Sequence, residues 1–258
     1  MTRVIAVTNQ KGGVGKTTTT VSLSAALAGR GQSVLLVDLD PQGNASTGLG
    51  IGPEARVRSA YELLQEGEGL SACTLPTAVD NLSIVPATGD LSSADVELMG
   101  TERRLFLLAD ALAASAHDYV LLDCPPSLNL LTLNALVAAG SVLIPLQAEF
   151  YALEGLSQLM RTIRTVREGP NPRLRIEGVV LTMVDGRNNL SRQVEEDARA
   201  TMGDLVFRTR IPRNVRLSEA PSHALPITEY DPASVGARAY RSLAAEMLRR
   251  HEIGEDAA

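Results

Sequence analysis

Two lysines bracket a glycine run near the amino terminus, Lys11-Gly12-Gly13-Val14-Gly15-Lys16-Thr17-Thr18. Glycines let successive backbone N–H groups turn toward one anion, and the amino end of a following helix adds the positive end of its dipole. Lys16 is spaced to reach the β- and γ-phosphates of a nucleotide, and Thr17 to offer its hydroxyl to Mg²⁺. The usual pattern G-x-x-x-x-G-K-[ST] is incomplete, because Gln10 stands at its first glycine position. Lys11 is surplus to that pattern: one lysine suggests phosphate binding, two suggest a switch. A glycine turn that binds nothing is the alternative, and the flanking segments argue against it. Arg3 to Thr8 is apolar and β-branched enough for a buried strand, and Thr18 to Gly29 reads as a helix.

Carboxylates at strand ends supply the complementary chemistry. Leu35-Leu36-Val37-Asp38-Leu39-Asp40-Pro41-Gln42-Gly43-Asn44 is an apolar strand running out into two acids and turn residues. In a phosphate site Asp40 can orient or activate an attacking water, and Asp38 can support a Mg²⁺ shell. Each also reads as a cap or turn acid. Tyr119-Val120-Leu121-Leu122-Asp123-Cys124-Pro125-Pro126-Ser127 repeats the design, with Asp123 as a Mg²⁺ ligand through water and two prolines stiffening a loop able to sense a γ-phosphate.

These groups need a scaffold that brings strand ends together. Strand-like runs recur at Val4 to Thr8, Ser33 to Asp38, Leu82 to Pro86, Tyr119 to Asp123, Ser141 to Pro145 and Ile176 to Thr182. Helical patterns fall between most of them, at Leu105 to Ala116, Leu128 to Ala139, Leu153 to Glu168 and Leu190 to Met202. The alternation predicts an α/β fold with a doubly wound, mainly parallel sheet flanked by helices, and ligand chemistry at the carboxyl ends of its strands. Gly48 to Arg58 and Gly67 to Asn81 read as surface excursions, and Ile253 to Ala258 as a frayed acidic end.

With 258 residues, 45% of them apolar, the chain can bury a full core and is expected to form one domain over 1–258. The two cysteines, Cys73 and Cys124, form no metal-ligand spacing and fit a reducing cytoplasm. A strand begins within three residues of the start, leaving no room for a signal peptide, and no apolar run approaches the roughly 20 residues that span a bilayer. A formal net charge of −6 argues against a generally basic nucleic-acid binder, so any DNA contact must come from a local patch.

Taken together, the lysine-flanked loop, Asp38-Leu-Asp40-Pro-Gln-Gly-Asn44 and Asp123-Cys-Pro-Pro-Ser127 resemble the ParA/MinD group of deviant Walker A ATPases, most closely its chromosomal ParA/Soj branch. The likeness extends through Gln147-Ala148-Glu149-Phe150-Tyr151-Ala152-Leu153-Glu154-Gly155 and through Ile211 to Ser222, nearly the whole chain, and Gln10 fits this subfamily. The resemblance implies a P-loop NTPase fold that hydrolyses ATP with Mg²⁺ at a weak intrinsic rate. It implies that Lys11 reaches across an ATP-sandwich homodimer to the partner's nucleotide, that Lys16 and Asp40 serve hydrolysis, and that Gly12, Gly13, Val14, Gly15, Thr17 and Thr18 hold phosphates. Thr17, Asp123 and Asp38 are the implied metal residues, and Pro212 and Asn214 lie near the adenine. Pro212-Arg213-Asn214 also reads as a plain turn.

Arg208, Arg210, Arg213 and Arg216 follow one another with no acid between them, Arg187 and Arg192 precede them, and Arg238, Arg241, Arg249 and Arg250 come later. Such residues grip phosphate oxygens whatever the base sequence. In the resembling proteins Arg187 and Arg216 match positions tied to nonspecific DNA binding; with Arg213 they are the expected contacts, against a merely solvated arginine face for each. The expected function is therefore a DNA-segregation ATPase, cytoplasmic and nucleoid-associated. Its ATP dimer binds double-stranded DNA and is released when a ParB-type centromere-binding protein stimulates hydrolysis. A MinD-like membrane-associated positioning ATPase is the alternative; it needs a terminal helix with an apolar and a basic face, whereas Ala239 to Arg250 has apolar residues suited to core packing, so no membrane partner is expected. An iron–sulfur ATPase is a third reading, for which the cysteine pattern fails.

Overall fold

The computed structural model describes residues 2–65, 67–149 and 152–256, without the side chains of 95, 152–154 and 254–256. Eight strands form one sheet: β1 Arg3–Val7, β2 Val34–Asp38, β3 Leu75–Pro76, β4 Leu82–Val85, β5 Tyr119–Asp123, β6 Ser141–Gln147, β7 Arg175–Val184 and β8 Val206–Pro212. The order is β3-β4-β2-β5-β1-β6-β7-β8, and every pair is parallel except β3 with β4. The helices are α1 Lys16–Ala28, α2 Asn44–Gly48, α3 Ala60–Gln65, α4 Leu70–Cys73, α5 Ala94–Glu97, α6 Leu107–Leu112, α7 Leu130–Ala138, α8 Ala152–Glu168, α9 Asn189–Met202, α10 Val215–Glu219, α11 Ile227–Tyr230 and α12 Val235–Asp256.

Alternate strand residues feed two cores on opposite faces, as a sheet covered on both sides requires. Ala6, Leu35, Val37, Val120 and Leu122 pack with residues of α3, α6, α7, α8 and α9. Ile5, Val7, Val34, Leu36 and Leu121 pack with α1 and α12. The doubly wound, mainly parallel sheet read from the sequence is therefore present.

Three differences are informative. The stretch Val206 to Pro212 is an edge strand whose Val206 and Phe207 are buried while Arg208 and Arg210 are exposed; its charges masked it as a strand. The excursion Gly67 to Asn81 holds α4 and the short antiparallel β3. The last helix runs through Asp256, so residues 253–256 of the expected frayed end are helical, and His251 just before them is tied to Tyr119 and Glu177. The family-like residues Phe150 and Tyr151 lie outside the described residues.

Candidate functional site

The site lies where β1, β5 and β2 end side by side. Register pairs Val7 with Asp123 and Asp38 with Asp123, which sets two carboxylates on neighbouring strand ends below the glycine loop. Gly13 and Gly15 take φ of +74° and +85°, a backbone region open to glycine, and Gly15 caps α1. The loop is tied down from three directions. The Thr182 hydroxyl of β7 donates to the Val14 carbonyl (2.8 Å), the Asn9 amide group donates to the Pro145 carbonyl (2.8 Å), and Asn9 Oδ1 accepts the Lys11 N–H (3.1 Å).

The two lysines face different ways. Lys16 is buried, and its Nζ donates to the Lys11 carbonyl at 3.1 Å. Burial lowers its pKa against the opposing pull of Asp123, Cys124 and Asp40. Lys11 stands at the mouth with its side chain one-third exposed, and its Nζ pairs with Glu149 at 3.3 Å. Glu149 also accepts from the Gln147 side chain. Each ammonium group thus rests on an oxygen of its own chain.

Asp123 is fully buried. The Thr20 hydroxyl, one helical turn below Lys16, donates to its Oδ1 at 2.8 Å, while Oδ2 has no hydrogen-bond partner. Burial pushes its carboxyl up to about 8, with the Asp38 charge adding and the Thr17 and Thr20 hydroxyls offsetting part. Asp38, also buried, accepts from the Ser46 amide (2.9 Å) and hydroxyl (2.7 Å) and from the Asp40 amide (3.2 Å); burial nonetheless raises it to about 6. Asp38 therefore clamps α2 to the strand end. Asp40 is partly exposed, and its Oδ1 accepts the Gln42 amide at 3.0 Å.

A buried, unpartnered carboxylate oxygen beside a second acid, close to a threonine at a helix start, is a donor set that fits a hard divalent cation. Among the described residues no three His, Cys, Asp or Glu side chains cluster as a metal cage. The pair of carboxylates and the threonine suit Mg²⁺, which keeps waters and substrate oxygens in its shell.

Thr17 and Thr18 open onto a cleft of about 300 Å³ that Asn44, Thr47, Leu217, Pro221 and Ile227 also line. Asn214 caps α10 on one side of it, accepting the Arg216 amide at 2.9 Å, and Pro212 ends β8 just before. Arg187 extends from the β7–α9 loop, paired with Asp185 at 3.6 Å, and the Arg213 amide bonds to the Val184 carbonyl, so these two share one corner. Arg216 is held within the chain by Glu219 (2.8 Å) and Asp231 (3.5 Å). The acid-free run read from the sequence is thus not acid-free in space, since Arg210 also pairs with Glu195 at 3.0 Å. Both cysteines are buried and free.

Sequence reasoning gave no role to Asn9, Thr20, Ser46, Glu149 or Thr182. Thr20 had a signal, standing four residues after Lys16 on the same helix face. Glu149 lay inside a family-like stretch; Asn9, Ser46 and Thr182 act through contacts that only the fold creates.

Residues 2–176 match a family model described as an AAA domain, AAA_31. The chain is 54% identical over 252 residues to the chromosome partitioning protein ParA of Caulobacter vibrioides, covering 96% of this chain and 94% of that protein. It is 53% identical over 249 residues to the sporulation initiation inhibitor protein Soj of Bacillus subtilis, with 96% and 98% covered. Among solved structures it resembles a cobyrinic acid a,c-diamide synthase of Mycobacterium smegmatis with bound ADP and magnesium, at TM-score 0.86, 41% identity and 98% and 97% coverage. It also resembles the septum site-determining protein MinD of Pyrococcus horikoshii complexed with Mg-ADP, at TM-score 0.77, 27% identity and 95% and 96% coverage.

Proposed function

The chain belongs to the ParA/Soj family of chromosome-partitioning ATPases, and on that premise we propose that it is an ATP-driven DNA-segregation switch. ATP closes a homodimer, the dimer binds DNA without sequence preference, and a ParB-type partner speeds hydrolysis and release. The observation that carries this reading is the opposite orientation of the two lysines, Lys16 inward over the loop and Lys11 outward at its mouth.

The residues then divide the work. The loop amides and Lys16 bind phosphates, Lys16 leaving the Lys11 carbonyl for a stronger anion. Lys11 leaves Glu149 for the phosphates of nucleotide bound by the partner subunit, so that the closed dimer exists only with ATP. Asp40, partly open to water, orients the attacking molecule and takes up its proton. Thr17 and Asp123, with Asp38 behind, would hold Mg²⁺, which neutralises charge developing on the phosphates when bound. Relief of the Asp123–Asp38 repulsion favours that cation.

Two other readings have less support. A MinD-like membrane role needs a free apolar helix face, and on α12 Ala237, Tyr240, Leu243, Ala244 and Met247 are buried. No helix among the described residues is long and apolar enough to cross a membrane. An amide synthase shares the nucleotide but has lower identity here.

Gel filtration and duplex-DNA binding with ATP and with ADP test the proposal. Wild type is expected to dimerise and bind DNA tightly only with ATP, Lys11→Ala to stay monomeric, and Asp40→Ala to remain trapped as a DNA-bound dimer. Equally tight DNA binding by wild type with ADP overturns the switch.

A further inference from the structure

Of the arginines favoured by sequence position, Arg187 and Arg216 are partnered by acids, whereas another set is not. Among the described residues Arg30, Arg208, Arg241 and Arg249 have no carboxylate within ion-pair distance. Arg241 donates to the Pro232 carbonyl (2.7 Å) and more weakly to that of Thr228 (3.4 Å), and Arg30 to the Arg241 carbonyl (3.4 Å), bonds that leave their charge uncompensated.

These four gather on one surface. Arg208 and Arg249 line a groove of about 420 Å³ between β8 and α12. Arg30, Arg241 and Arg249 line an adjoining one of about 220 Å³, and the two share Thr209, Ser242 and Arg249. The only acid among the described residues of the lining, Glu246, is already spent. It accepts the Arg208 and Thr209 amides (2.8 Å each) and the Thr209 hydroxyl (2.7 Å), and pairs with Arg250 at 2.9 Å. Arg250 in turn stacks on Phe207, 4.0 Å from the ring centroid. This network caps the edge of β8 against pairing with another strand and makes a rigid floor for the exposed guanidinium groups.

We propose that the β8–α12 edge is a second contact for the phosphate backbone of double-stranded DNA, a refinement that rests on the DNA-binding reading above. Guanidinium groups with flanking hydroxyls and no aromatic anchor suit phosphate oxygens rather than bases or an apolar peptide. The surface is complete within one protomer and distant from the phosphate loop. Each monomer therefore retains a weak, salt-sensitive grip whatever its nucleotide, and an ATP dimer gains by linking two such surfaces.

The test is anisotropy of a random-sequence duplex, titrated with ATP over a range of salt concentrations, for wild type and Arg208→Gln/Arg249→Gln. Gel filtration and ATP turnover verify that the variant still dimerises and hydrolyses. The double variant is expected to bind at least about tenfold more weakly near 0.15 M salt. Its log-affinity against log-salt slope should be shallower by about 2 to 4, from about 0.9 per lost contact in one or both protomers. Unchanged affinity and slope overturn the groove while leaving the DNA-binding reading intact. Loss of binding to a polyglutamate peptide with DNA binding preserved also overturns it, in favour of a protein-docking surface. Absence of DNA binding by wild type in every nucleotide state removes both proposals together.

Discussion

The short strand β5 carries a polar residue at each end, and the two are treated in opposite ways. At its carboxyl end Asp123 is buried with one oxygen unpartnered and its carboxyl pushed up to about 8 by burial and by Asp38. At its amino end the Tyr119 hydroxyl lies 2.8 Å from His251 Nδ1, while His251 Nε2 lies 2.7 Å from Glu177, which also accepts the Ser141 hydroxyl at 2.7 Å. Burial pushes the Glu177 carboxyl up, but His251, Ser141 and Arg3 together outweigh it and hold the acid low. One cluster is closed and ties the sheet to its last helix; the other is open and leaves charge for a ligand to satisfy. Satisfied polar networks stabilise, and unsatisfied ones persist where function requires them.

The largest effect that can break this contrast is on turnover. Lys16→Ala is expected to lower ATP hydrolysis by about 10³-fold or more, since removing a preorganised charge at the reacting phosphate costs roughly 4 kcal/mol. Its melting temperature should stay at or above that of wild type, because a buried ammonium group is removed from a site that depresses its charge. Loss of folding together with turnover would move Lys16 to the structural side of the comparison.

The mirror experiment is His251→Ala. It leaves Glu177 without its principal partner and removes the hydrogen bond between His251 and Tyr119, which destabilises by about 3 kcal/mol. For a chain of this size that is a fall in melting temperature of about 6–12 °C. ATP turnover of the folded fraction should not change. The contribution of Glu177 has a defined sign: a depressed acid stabilises above its unfolded value and loses that stabilisation as pH falls, so the gap between wild type and Glu177→Gln should narrow on acidification.

Asp123 gives the opposite pH profile and a smaller effect. Its unfolded carboxyl titrates near 3.8 and its folded one near 8. Between those values the folded state binds the extra proton, so stability in EDTA falls as pH rises through the window. Asp123→Asn should match wild type near pH 4 and exceed it by about 1–2 kcal/mol near pH 8 without metal. Mg²⁺ with nucleotide should remove that advantage, because the variant loses the ligand for which the charge is retained. Denaturant unfolding at the two pH values, with and without Mg-ADP, decides the matter.

What the sequence disclosed follows the same division. Lys11 to Thr18, Asp38 to Asn44 and Asp123 to Ser127 were legible because binding phosphate and cation imposes residue types on short contiguous stretches. The parallel sheet was legible because apolar runs and helical patterns alternate. Ion pairing was not legible: Arg210 meets Glu195 from α9, and Arg216 meets Asp231 from beyond α10, partners set by folding. β8 escaped notice because the exposed Arg208 and Arg210 interrupt its apolar run, and the Tyr119–His251–Glu177 closure joins residues far apart in the chain.

The finest test of the open end concerns Glu149, which holds Lys11 within its own subunit at 3.3 Å. Both side chains are partly exposed, so the pair is screened and contributes at most about 1 kcal/mol. Glu149→Gln keeps the shape and removes the charge that competes with the partner's phosphates. Dimerisation with ATP should therefore tighten by no more than about fivefold, with little change in the monomer's affinity for ADP. Sedimentation equilibrium with a nonhydrolysable ATP analogue, repeated at high salt, separates the outcomes. If Glu149 restrains Lys11, wild type and variant converge as salt screens the pair. If dimerisation instead weakens in the variant, Glu149 belongs to the closed interface and steadies Lys11 there, and the open end is partly prearranged before nucleotide arrives.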